Sequence, residues 1–140
     1  MTTIRTAHHP LAFVTPGKAL NIGLWTLQIL AALAFVAAGS GKLLGTQDMI
    51  ALFDAVGIGQ WFRYVTGSLE VLGALLLVVS GTTAVGAVLL AVTMVGAIVA
   101  HLAVLQTSPA APLVLFVLTA LIAWGRRSQL VSLVAGHVRD

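Results

Sequence analysis

The sequence predicts an all-α integral membrane protein, a four-helix bundle with a short interfacial amphipathic helix between its first and second spans. Three observations predict it. Hydrophobic residues make up 59% of the 140 positions and charged residues 8%, whereas soluble domains average roughly 25% charged. Eleven Asp, Glu, Lys and Arg side chains cannot cover a soluble surface, and a mean hydropathy of +1.07 makes lipid the solvent. The apolar residues also fall into four long runs, divided by short polar or Gly/Pro-bearing breaks, as membrane spans do.

Residues 1–18 are polar and are broken by Pro10, Pro16 and Gly17, so they read as a tail. The stretch Leu20–Leu44 is long enough to cross a bilayer. Ala32-Leu33-Ala34 and Val36-Ala37-Ala38 resemble signal-peptide cleavage sites, but the long polar region ahead and the long apolar core favour a retained helix. Between Gly45 and Arg63, Met49, Leu52, Phe53 and Val56 recur at i, i+3, i+4 and i+7, with Asp48, Ala51 and Ala55 opposite. Thr46 suits its N-cap and Gly57 its C-terminal close. This segment should lie in the interface, with Trp61 and Tyr64 marking headgroup level.

The second span is expected at Phe62–Ser80, with a tight turn at Gly81-Thr82-Thr83, and the third at Ala84–Leu105. Pro109 and Pro112 suit the start of the fourth, Pro112–Trp124, which stops at Gly125-Arg126-Arg127. Beyond it Leu130, Val131, Leu133 and Val134 are scattered over a tail too short to cross again. The expected organisation is a cytoplasmic tail at 1–18, a transmembrane domain at 19–127 and a second cytoplasmic tail at 128–140. The two tails hold Arg5, Lys18, Arg126, Arg127 and Arg139, and the first connection only Lys42 and Arg63. With four spans, that asymmetry places both termini in the cytoplasm and the amphipathic connection outside.

The net charge of +3 is spread along span boundaries rather than along one face, so nucleic acid is excluded as a partner. The bilayer is the partner instead, and self-association into a homo-oligomer stays open. Cys is absent, which removes thiol catalysis, Fe–S clusters and zinc–thiolate sites from this chain alone. Adjacent His8 and His9 are weak evidence for a metal, and no metal site is assigned.

Glu70 is the most informative residue. A carboxylate within an apolar span costs roughly 2.5–3.5 kcal/mol by insertion scales, so it is retained beside a partner or a polar cavity. Lys42 closes the first span, Arg63 precedes Glu70 by seven residues, and His101 lies near the end of the third span. At 1.5 Å per residue Glu70 sits roughly 10 Å below the outer boundary and His101 about 6 Å. Small residues on the same faces (Gly39, Ser40 and Gly41; Gly67 and Ala74; Gly86, Thr93 and Ala97) allow close helix approach. Lys42, Glu70, His101 and Arg63 therefore form the candidate buried polar cluster and ligand site, with Asn21 and Gln28 the main polar groups of the other half. Each has a plainer reading: Lys42–Glu70 as a packing pair, Lys42 as a snorkelling anchor, Arg63 as a headgroup anchor, and His101 as a packing residue. No second intramembrane His offers bis-His haem ligation.

The segments Phe35-VAAGSGKL-Leu43, Gly67-SLEVLGALLLV-Val78 and Ala87-VLLAVTMVGA-Ala97 resemble the DoxX-like family of small bacterial membrane proteins. Gly39-Ser40-Gly41-Lys42-Leu43 and Glu70-Val71-Leu72-Gly73-Ala74 carry the resemblance, over about residues 22–127. It implies a four-helix protein of the bacterial inner membrane, with Lys42 and Glu70 at the family's characteristic polar positions. It also implies a link to membrane redox systems, including subunits of thiosulfate:quinone oxidoreductases; the absence of Cys and of a cofactor box in this sequence then assigns part of the redox work to a partner subunit. The reading that follows is an auxiliary subunit, more a binder than a self-sufficient enzyme, with quinone as the candidate ligand. The alternatives are a small carrier or pore for protons or a small solute, and a purely structural scaffold.

Overall fold

The computed structural model describes residues 17–136. The expectations for residues 1–16, including His8, His9 and Arg5, and for Arg139 lie outside the described residues. The described residues form six α-helices: α1 (Lys18–Leu44), α2 (Gln47–Val56), α3 (Gln60–Val78), α4 (Thr83–Val99), α5 (Ala110–Gly125) and α6 (Arg127–Gly136). Among the described residues there is no strand. Helix α4 continues through Ala100–Leu105 as a wider π-helical coil, so the whole rod spans Thr83–Leu105.

Helices α1, α3 and the α4 rod are each long and apolar enough to cross a membrane. Helix α5, at 16 residues, reaches about 24 Å at 1.5 Å per residue. It passes the same test only together with α6, from which it is bent by 55°. The four long elements form a ring: α1 packs on α3, α3 on α4, α4 on α5, and α5 closes on α1. Phe35, Leu77, Leu90 and Ile122 fill its centre with no exposed surface. The outward faces stay apolar, as with Ile22, Leu33, Val92 and Val114, which is the pattern lipid solvation allows and water does not.

Glycines bring the helices together where their backbones nearly touch. A Cβ on Gly39 of α1 would stand 2.8 Å from the Gly67 carbonyl oxygen of α3, and one on Gly67 would stand 3.0 Å from the Gly39 oxygen. Near the α3–α4 turn, a Cβ on Gly86 would lie 2.9 Å from the Gly73 oxygen. Of the small stretch Gly39–Ser40–Gly41, Gly41 is not a contact residue, since a Cβ there meets nothing within 4 Å. Small residues at helix crossings are what membrane bundles need, because lipid supplies no hydrophobic drive between helices.

The connections end the helices by local chemistry. Gly45 (φ +69°) closes α1 and Gly57 (φ +77°) closes α2, each in the left-handed region. Thr46 does occupy the N-cap of α2, but its side chain makes no capping hydrogen bond. The last segment departs from expectation. Arg127–Gly136 is helical even though its apolar residues form no clean stripe, and the amide of Ala84 at the start of α4 donates to Gln129 Oε1 at 3.0 Å. An orphan donor at one helix start thus anchors another helix.

Candidate functional site

Glu70 lies on the inner face of α3, one turn beyond Gly67 and only 2% exposed. The close α1–α3 approach at Gly39 and Gly67 brings the Lys42 stem alongside. The ammonium donates to Glu70 Oε1 at 3.0 Å and to Oε2 at 2.8 Å. The Lys42 side chain retains 16% exposure against 3% for that of Glu70, so the carboxylate is the deeper partner. Lys42 is thus a buried-pair partner and not a free snorkelling anchor.

Beside this pair lies a cavity of about 450 Å³, within the ~300–1,000 Å³ range of small-molecule sites. Helix α2 lies across its end. Met49, Leu52, Phe53 and Val56, the apolar stripe of the amphipathic segment, all face it. Phe53 is buried and meets Phe62 of α3 edge-on, with ring centroids 6.0 Å apart. Thr66, Leu69 and Glu70 of α3, Thr93 and Ala97 of α4, Leu115 of α5 and Lys42 of α1 form the walls. The Thr66 hydroxyl donates to Phe62 O at 3.0 Å and that of Thr93 to Leu89 O at 2.9 Å, so neither is left seeking a partner. The polar character of the cavity comes from Lys42, Glu70 and His101.

His101 reaches the cavity from the π-helical coil, a rare element that is frequent at functional sites. Its Nδ1 pairs with Thr107 Oγ1 at 2.8 Å. Among the described residues His101 makes no ion pair with Glu70: Lys42–Glu70 is the ion pair there. The expected three-way convergence is therefore a pair plus a histidine on the same cavity.

Arg63 is buried, as the polar-cluster reading expects, but it does not reach the cavity. At 4% exposure it is not a headgroup anchor. Its guanidinium lies under Gly45, donates through Nη1 to the Lys42 carbonyl oxygen and through Nε to Gln60 Oε1 at 2.6 Å. The Lys42 carbonyl already accepts from Gly45 N at 3.2 Å, so Arg63 adds a second, charged donor at the negative end of α1 and thereby fixes the backbone that carries Lys42. Arg63→Lys is expected to lower stability by about 1–2 kcal/mol, because an ammonium cannot reproduce the planar fork. Denaturant titration in mixed micelles measures it, and a loss no larger than that of an exposed Arg127→Lys control would remove the capping role.

Residues 26–123 match the model of the DoxX-like family. The chain belongs to the DoxX-like family. It is also similar to a Bacillus subtilis (strain 168) protein named "Putative oxidoreductase CatD", 29% identical over 82 residues. That segment covers 59% of this chain and 61% of the relative, so the match reaches less than two thirds of the relative's length. No solved structure matches the chain. The family match covers Lys42, Glu70 and His101, and with them every wall of the cavity.

This DoxX-like bundle has a second buried polar locus at its opposite end. Gln28 of α1 is fully buried, and its carboxamide oxygen, in the orientation that satisfies both groups, accepts from Arg126 Nη2 at 3.1 Å and Nε at 3.0 Å. Arg126 also lies over the Trp25 ring at 5.8 Å. Residue pattern alone puts Gln28 in that half and names no partner for it. The available signal was a lone Gln in an apolar span, which requires a donor from elsewhere.

Proposed function

We propose that this DoxX-like protein is an auxiliary subunit of a bacterial inner-membrane redox system and binds a quinone-like molecule in the α2-capped cavity. The observation that carries the reading is a charged pair set in the wall of an otherwise apolar chamber. Lys42 spends two of its three ammonium hydrogens on Glu70, which leaves one for a ligand oxygen. His101 spends Nδ1 on Thr107, so Nε2 remains to exchange a proton or a hydrogen bond with a second oxygen. A lipid-soluble ring with two carbonyls fits an apolar slot with a few polar groups. The printed name of the Bacillus subtilis relative supports a redox setting. With no Cys in the chain, the electrons would pass to a partner subunit.

Lys18, Arg126 and Arg127 lie at the end of the bundle remote from the cavity, which supports both termini being cytoplasmic and the cavity lying toward the outer face. The carrier reading is disfavoured by the packing. Gln28 and Lys42, polar positions on α1 toward opposite ends, are separated by Ala31, Ala32 and Phe35, all buried in the apolar core. A transport path would need polar groups or water through that layer.

The test is equilibrium binding of decyl-ubiquinone to the purified protein in lipid nanodiscs. Lys42→Met and His101→Ala are each expected to weaken it by about tenfold or more, the scale of a hydrogen bond to a charged or buried group. Absence of saturable binding by the unsubstituted protein, or unchanged binding in Glu70→Gln and His101→Ala, would overturn the proposal.

A further inference from the structure

Helices α3 and α4 are not equally close along their length. Near their turn they are locked together: a Cβ on Gly73 would lie 2.5 Å from Leu90 Cγ, and one on Gly86 would lie 2.7 Å from Leu76 Cβ. Toward the α2 end that contact gives way to the cavity, which takes wall residues from both helices. Four of the cavity's wall residues also face outward, three of them on α3 and α4 and the fourth, Ala111, at the start of α5. Val65 of α3 is 43% exposed, Val92 of α4 is 65% exposed, and Gly96, one turn on, is exposed and would place a Cβ in open space. A side chain that both lines a chamber and meets the surroundings marks its mouth, and all four are apolar.

The aqueous end is built in the opposite way. Helix α2 turns its apolar stripe onto the cavity and its exposed Asp48 and Asp54 away from it. Gln60 ties that helix to α3, its amide donating to Asp54 Oδ1 at 2.7 Å and to Ile50 O at 2.9 Å. Gln60 also accepts from Arg63, so the roof is fastened to the buried cap of α1.

We infer that the cavity is loaded sideways from the bilayer, through a portal between α3 and α4 framed by Val65, Val92 and Gly96. Its ligand is then an amphiphile that partitions into lipid, with its polar head at Lys42 and His101 and its chain leaving through the portal. This rests on the binding reading above and deepens it by fixing the route and the class of ligand. Water-soluble acids and sugars are excluded as cargo, because the route runs between valines. The route also places the head against the ion pair and the chain in hydrocarbon, so neither end is desolvated without compensation.

The chain has no Cys, so one introduced thiol reports on access without background. Leu115→Cys puts it on the α5 wall of the cavity. In phosphatidylcholine vesicles at about pH 7, where maleimides prefer thiols to amines, an alkyl-chain maleimide is expected to modify it, and a charged, membrane-impermeant methanethiosulfonate is not. Adding Gly96→Trp fills the portal from a position with free space, and should slow the maleimide by about tenfold or more, as a barrier higher by one such factor would. Gly23→Trp, at an exposed position of α1 outside the cavity with equally free space, should leave the rate unchanged. Equal modification by the charged reagent, or a rate indifferent to Gly96→Trp, would overturn sideways loading. Failure of decyl-ubiquinone to bind while the thiol pattern holds would instead sink the quinone reading and leave the portal standing.

Discussion

Lys42→Met is expected to destabilise the bundle by about 3–5 kcal/mol, the scale for removing one partner of a buried ion pair. Both Glu70 oxygens are bonded by Lys42, and among the described residues no other donor to them is present. Taking the ammonium away strands a carboxylate that is 2% exposed. The two single substitutions should be unequal. After Glu70→Gln, Lys42 keeps a long stem and a side chain already 16% exposed, so its ammonium can move toward the boundary. Glu70 has no such escape, and Lys42→Met should therefore be the more damaging change. Lys42→Met combined with Glu70→Leu should recover most of the loss, since an apolar pair of similar volume often replaces a buried ion pair without penalty. Denaturant titration in mixed micelles orders the three variants. A double variant no better than Lys42→Met alone would show that the pair does not act as a unit.

The contrast between Lys42 and Arg63 shows what was legible in the sequence. A carboxylate in hydrocarbon demands a partner, and Lys42 at the end of a neighbouring span meets that demand through composition and spacing alone. The stripe Met49, Leu52, Phe53 and Val56 is similarly explicit, because a helical period of apolar residues faces something apolar, and all four line the cavity. Arg63 carried the opposite signal. Its position at a span boundary next to Trp61 and Tyr64 looks like an anchor, and only the way the chain reverses at Gly45 brings the end of α1 within its reach. Contacts to backbone carbonyls of another helix leave no trace in residue type.

His101 illustrates a second limit. Its depth in the span was readable, but its direction depends on the widening of the last α4 turns into a π-helical coil, which changes the angle per residue. In that coil its Nδ1 pairs with Thr107 Oγ1. Helix α6 was hidden for a different reason. Arg127–Gly136 has no apolar stripe, and part of its anchoring is the Gln129–Ala84 hydrogen bond between residues 45 positions apart. Pairings of that separation are set by topology rather than by local pattern.

Gly39→Val is expected to abolish the Lys42–Glu70 contact without touching either residue. A Cβ at Gly39 would stand 2.8 Å from Gly67 O and 2.9 Å from Val71 Cγ2. The first of these is backbone, which cannot turn aside. Helices α1 and α3 would have to separate, and Lys42 lies only three residues further along α1, so its two short bonds would be lost with the approach. Gly39→Ala, with a single methyl, should cost about 1–3 kcal/mol as overpacking does, and Gly39→Val correspondingly more. Gly23 and Gly41 lie in the same helix, and a Cβ at either meets nothing within 4 Å. Gly23→Ala and Gly41→Ala should accordingly stabilise α1 by roughly 0.5–1 kcal/mol, by restricting the unfolded chain and restoring helix propensity. The same chemical change in one helix is thus expected to have opposite signs at positions 39 and 41. Detergent unfolding midpoints of the three alanine variants decide it: a common sign would show that proximity to α3 does not govern α1, and that the pair is held by something other than the glycine crossing.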